Sequence, residues 1–558
     1  MDPQNPADLQ EKLAKIRHES EERVAQRLAA QLGYQYIDLS KTPVVVDALR
    51  LIPEAEAREA RVASIEAKLK KVALAACDPR LPAAEKIIKD LGAKKYEVKI
   101  FIASLSGLEQ AWRLYRFVKP EAEEITGKVT IKKGELEKLA ERKLGFKAFS
   151  EEIKNLDYSK ASTTMLLGDI LAGALSMHSS DIHFETAEEK AKIRFRIDGL
   201  LHDVSGNLPL RNYNGITSRI KLLSGMKINV RGEAQDGRFT INFAKKEIEI
   251  RVSVIPSEFG ENIVMRILDP DVISIELSGL GIREDDLAIV NNEIKKPNGL
   301  ILNTGPTGSG KTTTLYAFLK TINSPELKVI TLEDPIEYRI EGIEQTQVDE
   351  EVGYTFGNGL RAIVRQDPDV ILVGEIRDLE TADIAMQAAL TGHLVLSTLH
   401  TNDAVGTVPR LVNLGVKPIT IGPALSLVIA QRLVRRLCSK CRKPVDVSGE
   451  LKTKISGYLV KLPQRVERKP YEDPKIYEAV GCESCSGFGY KGRIGIFEFL
   501  ESGPDLEETI LKEFSEVALR KLAERQGMVT MQADGVLKVL QGETTFKEVE
   551  SVTGPIEW

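Results

Sequence analysis

The sequence has no run of about 18 consecutive apolar residues, the length that a membrane-spanning helix requires. Its first segment, Met1–Gln31, is rich in charge and lacks the apolar centre of a signal peptide. We therefore expect a cytoplasmic protein that reaches a membrane only through a partner. The formal charge is −5 over 558 residues, so charge by itself neither favours nor excludes nucleic acid as a ligand. Only five cysteines occur, and a cytoplasmic chain is not expected to join them as disulfides.

The composition is that of ordinary globular domains, with 42% apolar and 28% charged residues and no evident internal repeat. At about 150 residues per domain, the length suggests three or four domains. We predict an amino-terminal α/β domain at 1–118, a Lys- and Glu-rich linker at 119–160, a hairpin-bearing second domain at 161–275, a parallel α/β core at 276–430, a cysteine-containing subdomain at 431–500 and a carboxy-terminal helical subdomain at 501–558.

Local patterns characterise the first two domains. Met1–Gln31 carries apolar residues at helical spacing, which predicts an amphipathic helix. Tyr36–Leu39 and Val72–Ala75 have β character. In the second domain, the alternating segment Lys192–Ile197 runs into the turn signal Asp198-Gly199, which predicts a hairpin. Further on, strands alternate with helices, a pattern typical of a parallel α/β sheet.

The core contains a phosphate-binding loop of sequence GPTGSGKT between the strand candidate Leu300–Leu302 and the helix-like segment Thr313–Leu319. Glycines let backbone N–H groups surround phosphates, Lys311 can contact the β- and γ-phosphates, and the Thr312 hydroxyl can hold Mg²⁺. A chance match in a glycine-rich turn is the alternative, and the strand–loop–helix context counts against it. The predicted ATP-binding residues are Gly305, Pro306, Thr307, Gly308, Ser309, Gly310, Lys311, Thr312 and Thr313.

Two acidic clusters follow the loop, each at the end of an apolar strand candidate, where an open α/β sheet places its ligand residues. The first, Val329–Glu337, ends in three carboxylates around a proline, and one of them could orient an attacking water. The second, Asp369–Asp378, has Glu375 where a Walker B strand usually has aspartate. A solvated acidic turn and a plain core strand are the alternative interpretations.

His393 and His400 bracket a third strand candidate. A lone histidine is more often structural than catalytic. Because two of the chain's six histidines flank a strand beside the predicted nucleotide, a γ-phosphate sensor and a structural role stay equally open.

Arginine suits a charged transition state because its planar fork binds phosphate oxygens in pairs. Arg251 and Arg266 lie in the domain before the core. Judged alone, either is more simply a surface charge.

Four of the five cysteines form two pairs, Cys438/Cys441 and Cys482/Cys485. Paired C-x-x-C elements give tetrahedral sulfur ligation, the geometry of a closed structural Zn²⁺ site. The intervening segment of about 40 residues exceeds the usual 15–20. We still favour zinc over four free thiols, and four thiolates leave no open position for catalysis.

A basic patch precedes and surrounds the first cysteine pair. It comprises Gln431–Leu437 together with Lys440, Arg442 and Lys443. Such a patch could meet phospholipid, nucleic acid or an acidic protein face. Because no aromatic residues are interleaved, a solvated or intersubunit face is favoured over nucleic acid.

Together, and in this order, the motifs resemble those of the secretion and pilus motor ATPases, specifically the branch for type IV pilus assembly and type II secretion. The related retraction motors lack the cysteine pairs and the long amino-terminal region, so the chain resembles the assembly side. The resemblance rests on Gly305–Thr312, Glu333–Glu337, Asp369–Asp378, Thr391–His400, Gln431–Arg436 and Gly527–Gly535.

The resemblance implies a multidomain α/β fold: a RecA-like P-loop ATPase core, a preceding PAS-like α/β domain, a small amino-terminal α/β domain and a zinc-binding carboxy-terminal part. It also implies a homohexamer at the inner face of the cytoplasmic membrane, which converts ATP hydrolysis into movement through an inner-membrane platform protein. In such a motor Glu337 activates water and Glu375 assists at Mg²⁺. Arg251 and Arg266 face the phosphates, and His400 is the candidate sensor.

Gln31–Ser40 and Leu51–Arg58 look like the family's amino-terminal domain, which docks to the platform and in some members binds cyclic di-GMP. Members that bind it carry two Arg-Leu-Gly motifs, whereas this chain offers one Gln-Leu-Gly. We therefore expect no cyclic di-GMP binding. Three other functions stay open: a type II secretion motor, a nucleic-acid translocase favoured only by the basic patch, and a regulatory nucleotide-binding module without turnover.

Overall fold

A computed structural model describes residues 20–49, 51–68, 71–93, 96–117, 128–129, 145–243, 246–270 and 275–558. The chain divides into two compact units, Met1–Thr126 and Gly127–Trp558. Most of the amphipathic helix predicted for Met1–Gln31 lies outside the described residues. Its described part is helical over 20–32.

The first unit is a small α/β domain built on the strand order β1-β4-β3-β2, in which only the β2–β3 pair is antiparallel. The Trp112 indole donates to the Val62 carbonyl at 2.9 Å, which ties α5 to β2. Glu22 on α1 accepts a hydrogen bond from the Ser104 hydroxyl at 2.5 Å. The elements are α1 (20–32), β1 (Gln35–Tyr36), α2 (Val46–Leu49), α3 (Glu54–Glu59), β2 (Val62–Lys68), β3 (Lys71–Ala76), α4 (Pro82–Ala93), β4 (Glu97–Ile102) and α5 (Leu105–Arg113).

The second unit begins with a sheet of strand order β5-β9-β10-β11-β6-β7-β8, antiparallel except for the β5–β9 pair. Phe149 on α6 stacks on Phe195 of β7 with ring centroids 5.8 Å apart. Residues 146–154 of the predicted linker therefore pack into this core. The elements are β5 (Lys128–Val129), α6 (Phe146–Lys154), α7 (Thr163–Ser176), β6 (Asp181–Thr186), β7 (Lys190–Ile197), β8 (Leu200–Pro209), α8 (Leu210–Leu223), β9 (Gln235–Phe243), β10 (Lys246–Ser257) and β11 (Gly260–Leu268).

A larger sheet of strand order β14-β13-β15-β16-β12-β17-β20 follows, parallel except for the β17–β20 pair, with buried cores on both faces. Strand β17 continues past residue 430, so the sheet extends into the predicted cysteine-containing subdomain. Its elements are α9 (Glu284–Glu293), β12 (Gly299–Thr304), α10 (Lys311–Ile322), β13 (Val329–Glu333), β14 (Glu344–Gln347), α11 (Phe356–Val364), β15 (Val370–Val373), α12 (Leu379–Leu390), β16 (Leu394–Leu399), α13 (Thr407–Asn413), α14 (Pro418–Ala424) and β17 (Leu425–Leu437).

The carboxy-terminal part packs onto this sheet. The segment between the cysteine pairs shares a buried core with the last helices, through Ile455, Val536 and Val549. Throughout the described ranges, we find no helix with the length and hydropathy needed to cross a membrane. The elements are β18 (Lys443–Pro444), α15 (Gly449–Lys461), β19 (Tyr477–Glu478), β20 (Tyr490–Glu501), α16 (Pro504–Lys512), α17 (Glu516–Arg525), α18 (Met531–Leu540) and α19 (Phe546–Thr553).

The predicted α/β fold class is confirmed. The division into six regions stays a prediction, and the structure adds two connections across it, at α6 and at β17.

Candidate nucleotide site and metal centre

The phosphate loop connects β12 to α10, so the predicted ATP-binding residues are contiguous at the carboxyl end of a central strand. Gly305 and Gly310 have φ angles of +146° and +91°. A Cβ at Gly305 would lie 2.5 Å from the Gln431 carbonyl oxygen, and one at Gly310 would lie 2.8 Å from Gln431 Nε2. Both positions therefore require glycine for backbone conformation and for close approach.

Lys311 is buried inside the loop. Its Nζ donates to the carbonyl oxygens of Gly305 at 2.8 Å and Pro306 at 3.1 Å. Burial lowers the pKa of Lys311, and the nearby Glu375 carboxylate opposes that shift. Thr312 is exposed at the start of α10, as a magnesium ligand must be, and Ser309 Oγ is buried with no hydrogen-bond partner in the described part of the chain. These residues fit a triphosphate with Mg²⁺.

Gln431 lies beneath the loop. From the sequence alone, this residue is assigned only to the basic patch. Its side chain is buried, and its Oε1 accepts hydrogen bonds from Asn303 Nδ2 at 3.0 Å and from Thr314 Oγ1 at 2.8 Å. Both partners are more than 100 residues away in sequence. Local motif reading could not have identified this contact.

Glu375, just beyond the end of β15, lies beside the loop. One of its carboxylate oxygens pairs with Arg377, and the other lies 3.3 Å from His400 Nε2. His393 is at the opposite end of β16, where its Nδ1 lies 2.9 Å from the Ala388 carbonyl oxygen. The structure thus brings His400, and not His393, beside Glu375.

The carboxylates at the end of β13 and just after it occupy different environments. Glu333 is buried, accepts a hydrogen bond from Thr331 Oγ1 at 2.6 Å and is also bonded by the Tyr316 hydroxyl. Burial, with the adjacent Glu333 carboxylate, raises the pKa of Tyr316 and keeps its hydroxyl protonated as the donor. Glu337 is partly exposed and carries an ion pair to Arg251 at 3.0 Å. Glu333 is therefore a structural acceptor, whereas Glu337 is accessible for chemistry.

Arg251 and Arg266 are direct cross-strand neighbours on β10 and β11, yet their guanidinium groups point to different partners. Arg251 bonds Glu337 and also donates to the Ile336 carbonyl at 2.6 Å. Arg266 donates to Asp181 at 3.1 Å and keeps 55% of its side chain exposed. Of the two arginines predicted to face phosphate, Arg251 thus contacts the candidate base Glu337, whereas Arg266 pairs with Asp181.

The four paired cysteines converge. Their sulfur atoms all lie within 4.8 Å of one another, with Cys438–Cys482 at 3.9 Å and Cys441–Cys485 at 3.7 Å. Tetrahedral zinc with Zn–S bonds of about 2.3 Å separates its sulfurs by about 3.8 Å. Burial opposes ionisation of Cys485, but backbone N–H groups of Cys482 and Gly489 donate to its sulfur, and the pKa of the thiol is lowered to about 7. The cluster could hold zinc.

The second cysteine pair also contacts the domain that carries Arg251. The Phe488 ring lies 4.2 Å from the His202 ring and 5.3 Å from the Phe146 ring, between centroids. The Gly492 N–H donates to Asp198 at 3.0 Å. The cysteine cluster therefore lies where the second domain meets the sheet that carries the phosphate loop.

Three arginines of the basic patch bond to residues of the carboxy-terminal segment. Arg435 pairs with Glu548 at 2.6 Å, and Arg436 pairs with Glu543 at 2.6 Å. Arg442 donates to the Gly542 carbonyl at 2.5 Å. Since these arginines hold the last helices against β17, the patch gives little support to a nucleic-acid interface.

Two sequence models of known families match the chain. The first, the MshEN domain, matches residues 32–117. MshEN is a domain class that binds cyclic di-GMP, so this match counts against our expectation that the chain does not bind it, and we withdraw that expectation. The expectation used a few motif residues, whereas a binding surface is formed by the whole domain. In the structure the Gln-Leu-Gly segment simply ends α1, with Gly33 at a φ of +75°.

The second model, described as "Type II/IV secretion system protein", matches residues 157–551. A type IV pilus assembly ATPase, PilB of Myxococcus xanthus, is 38% identical over 96% of this chain and 92% of its own length. A type II secretion system ATPase E of Vibrio cholerae is 45% identical over 70% of this chain and 75% of its own.

Among solved structures, the ATPase DotB of Legionella pneumophila superposes with a TM-score of 0.52 at 22% identity, over 71% of this chain and 97% of DotB. This likeness supports the RecA-like fold of the core. With the phosphate loop and its neighbouring carboxylates in place, the chain belongs to the type II/type IV secretion system protein family and is an ATP-hydrolysing enzyme.

Proposed function

We propose that this chain drives type IV pilus assembly, as a cytoplasmic homohexamer on an inner-membrane platform protein. One relative named for pilus assembly, from Myxococcus xanthus, matches 96% of the chain, including the amino-terminal region. Two further pilus assembly relatives match 71% and 72% of the chain, much as the type II secretion relative from Vibrio cholerae matches 70%. The near-full-length match to the Myxococcus xanthus protein therefore carries the proposal. A type II secretion motor is the second candidate because its relatives share the ATPase region at slightly higher identity.

Deleting the gene in its own bacterium separates the two candidates. We expect surface pili to disappear and the set of secreted proteins to stay unchanged, with pili restored by the wild-type gene and not by Glu337→Gln. Loss of secretion with normal pili would contradict the proposal and support the type II candidate. The nucleic-acid alternative predicts instead that DNA stimulates ATP hydrolysis by the purified protein, which we do not expect because the basic patch is paired internally.

For ATP hydrolysis we propose roles according to position. The loop N–H groups and Lys311 hold the β- and γ-phosphates, and Thr312 and Glu375 would hold Mg²⁺, which neutralises phosphate charge. Glu337 accepts the proton of the water that attacks the γ-phosphorus as the bond to the ADP oxygen breaks. His400 orients Glu375 and senses the γ-phosphate.

The second domain supplies the arginines. Arg251 forms an ion pair with Glu337 and can move from it to the γ-phosphate. This movement would connect the nucleotide state to the position of the second domain. Arg266 stays a proposed phosphate contact, and reaching a phosphate requires that its ion pair with Asp181 open.

We also propose that Cys438, Cys441, Cys482 and Cys485 bind one structural Zn²⁺. The support is the sulfur geometry, which matches a tetrahedral thiolate site. With all four positions occupied by sulfur, the ion would have no catalytic role.

A further inference from the structure

We propose that Gln431 is a positioning residue for the phosphate loop: its side-chain oxygen fixes the distance between the two elements that hold the ends of the loop. Gln431 lies on β17, which pairs with β12 through Asn303↔Ile429 and Thr304↔Ala430. It is 2% exposed, so its hydrogen bonds are shielded from water. The inference rests on ATP hydrolysis and does not depend on whether pilins or secreted proteins are moved.

The two donors to Gln431 flank the loop in sequence. Asn303, at 3.0 Å, is on β12 two residues before Gly305, and Thr314, at 2.8 Å, is in the first turn of α10. A single oxygen atom therefore joins the strand that enters the loop to the helix that leaves it. Because Gly305 and Gly310 also pack against Gln431, this residue contacts the loop at its beginning, at its end and on both flanking elements.

Removing this acceptor has a defined consequence. Thr314 Oγ1 would lose its bond to Gln431, and Asn303 Nδ2 would keep only its long contact of 3.5 Å to the Lys311 carbonyl oxygen, so β12 and α10 would be held together less firmly. The loop N–H groups bind phosphate only while those ends hold their spacing. Affinity for both ADP and ATP should fall, because the loop contacts phosphates that the two nucleotides share.

The test measures nucleotide affinity and steady-state kinetics in the full-length protein. Gln431→Met keeps the side-chain volume and removes the polar atoms, and Thr314→Val removes the hydroxyl at constant shape. We expect either change to weaken MgADP binding about tenfold, as the loss of one or two buried hydrogen bonds would. The KM for ATP should rise more than kcat falls, since the proposed base Glu337 is on another element.

Two comparisons separate positioning from general destabilisation. If Gln431 acts through Thr314, the double variant Gln431→Met/Thr314→Val should bind ADP no worse than whichever single variant has the lower affinity. Thr314→Ser, which keeps the hydroxyl, should bind ADP with the affinity of the wild type. Gln526→Met removes a half-buried amide, far in sequence from the loop, and should leave ADP affinity unchanged. Wild-type ADP affinity in Thr314→Val, or fully additive losses in the double variant, would overturn the proposal even if Gln431→Met folds poorly.

Discussion

The phosphate loop and the tetracysteine cluster both adjoin strand β17, but different contacts hold them. The loop lies over Gln431, and its own carbonyl oxygens accept from Lys311. The cluster begins one residue after β17, and its four sulfurs lie within 4.8 Å of one another. Hydrogen bonds fix the geometry of the loop, whereas four thiolates at that distance repel each other unless a cation lies between them. Losing the nucleotide should thus change the fold little, and losing the metal should change it much more.

The cluster is also expected to affect the nucleotide site. Its second cysteine pair and the residues after it, 482–492, here called the knuckle, contact the domain that carries Arg251. Phe488 packs against His202 and Phe146 of that domain. If the knuckle opens, this contact is lost, and Arg251 no longer has a fixed position relative to Glu337. The two regions are therefore held by different contacts, but opening the cluster is expected to impair catalysis.

The largest expected effect is that of breaking the cluster. Cys482→Ser removes one ligand, so we expect bound zinc to fall from one ion per chain to nearly none. Stability should fall by about 4 kcal/mol if free zinc exceeds its dissociation constant about 1,000-fold. Metal analysis and thermal unfolding measure both quantities.

Cys77→Ser is the matched control, because Cys77 lies outside the cluster and should not change zinc content. A Cys482→Ser variant with full zinc content and unchanged melting temperature would show that the cluster is not a metal site. Zinc loss with unchanged ATP hydrolysis would show that the knuckle does not position the second domain.

A second prediction compares the two arginines across the same strand pair. Arg251→Gln should lower kcat at least about 100-fold, as the loss of a phosphate-contacting arginine does. Arg266→Gln should have a smaller effect, about tenfold or less, because Arg266 pairs with Asp181 and stays 55% exposed. Steady-state ATP hydrolysis distinguishes the two, and equal losses would mean that Arg266 contributes as much as Arg251 despite its ion pair with Asp181.

Motifs whose residues are close together in the sequence could be identified from the sequence. The phosphate loop and its flanking strand and helix follow from glycine and lysine spacing between neighbours in the chain. The two cysteine pairs lie 44 residues apart, and their convergence was predicted from the chemistry of zinc ligation. Glu337 and Glu375 follow β13 and β15 by a few residues, so they too were identified from local pattern, and their roles stay predictions. What these motifs share is that each is marked by a few residues close together in the chain.

Contacts between distant side chains that belong to no motif could not be predicted from the sequence. Gln431 reaches Asn303 and Thr314 across more than 100 residues, and no local pattern marks it. Arg251 and Arg266 lie opposite each other on paired strands, so the alternation of side chains along a strand predicts the same environment for both. They differ in their ion-pair partners, which are Glu337 and Asp181. The sequence predicted that His393 and His400 bracket one strand, but only their contacts show that His400 lies beside Glu375.

The central claim is that this chain hydrolyses ATP with Glu337 as the base, at a site that Arg251 joins from the second domain. The most direct measurement is ATP turnover and MgATP binding by Glu337→Gln, beside Glu341→Gln, an exposed carboxylate four residues away. We predict that Glu337→Gln binds MgATP like the wild type but hydrolyses it about 100- to 10,000-fold more slowly, while Glu341→Gln is unchanged. Undiminished hydrolysis by Glu337→Gln would contradict the account.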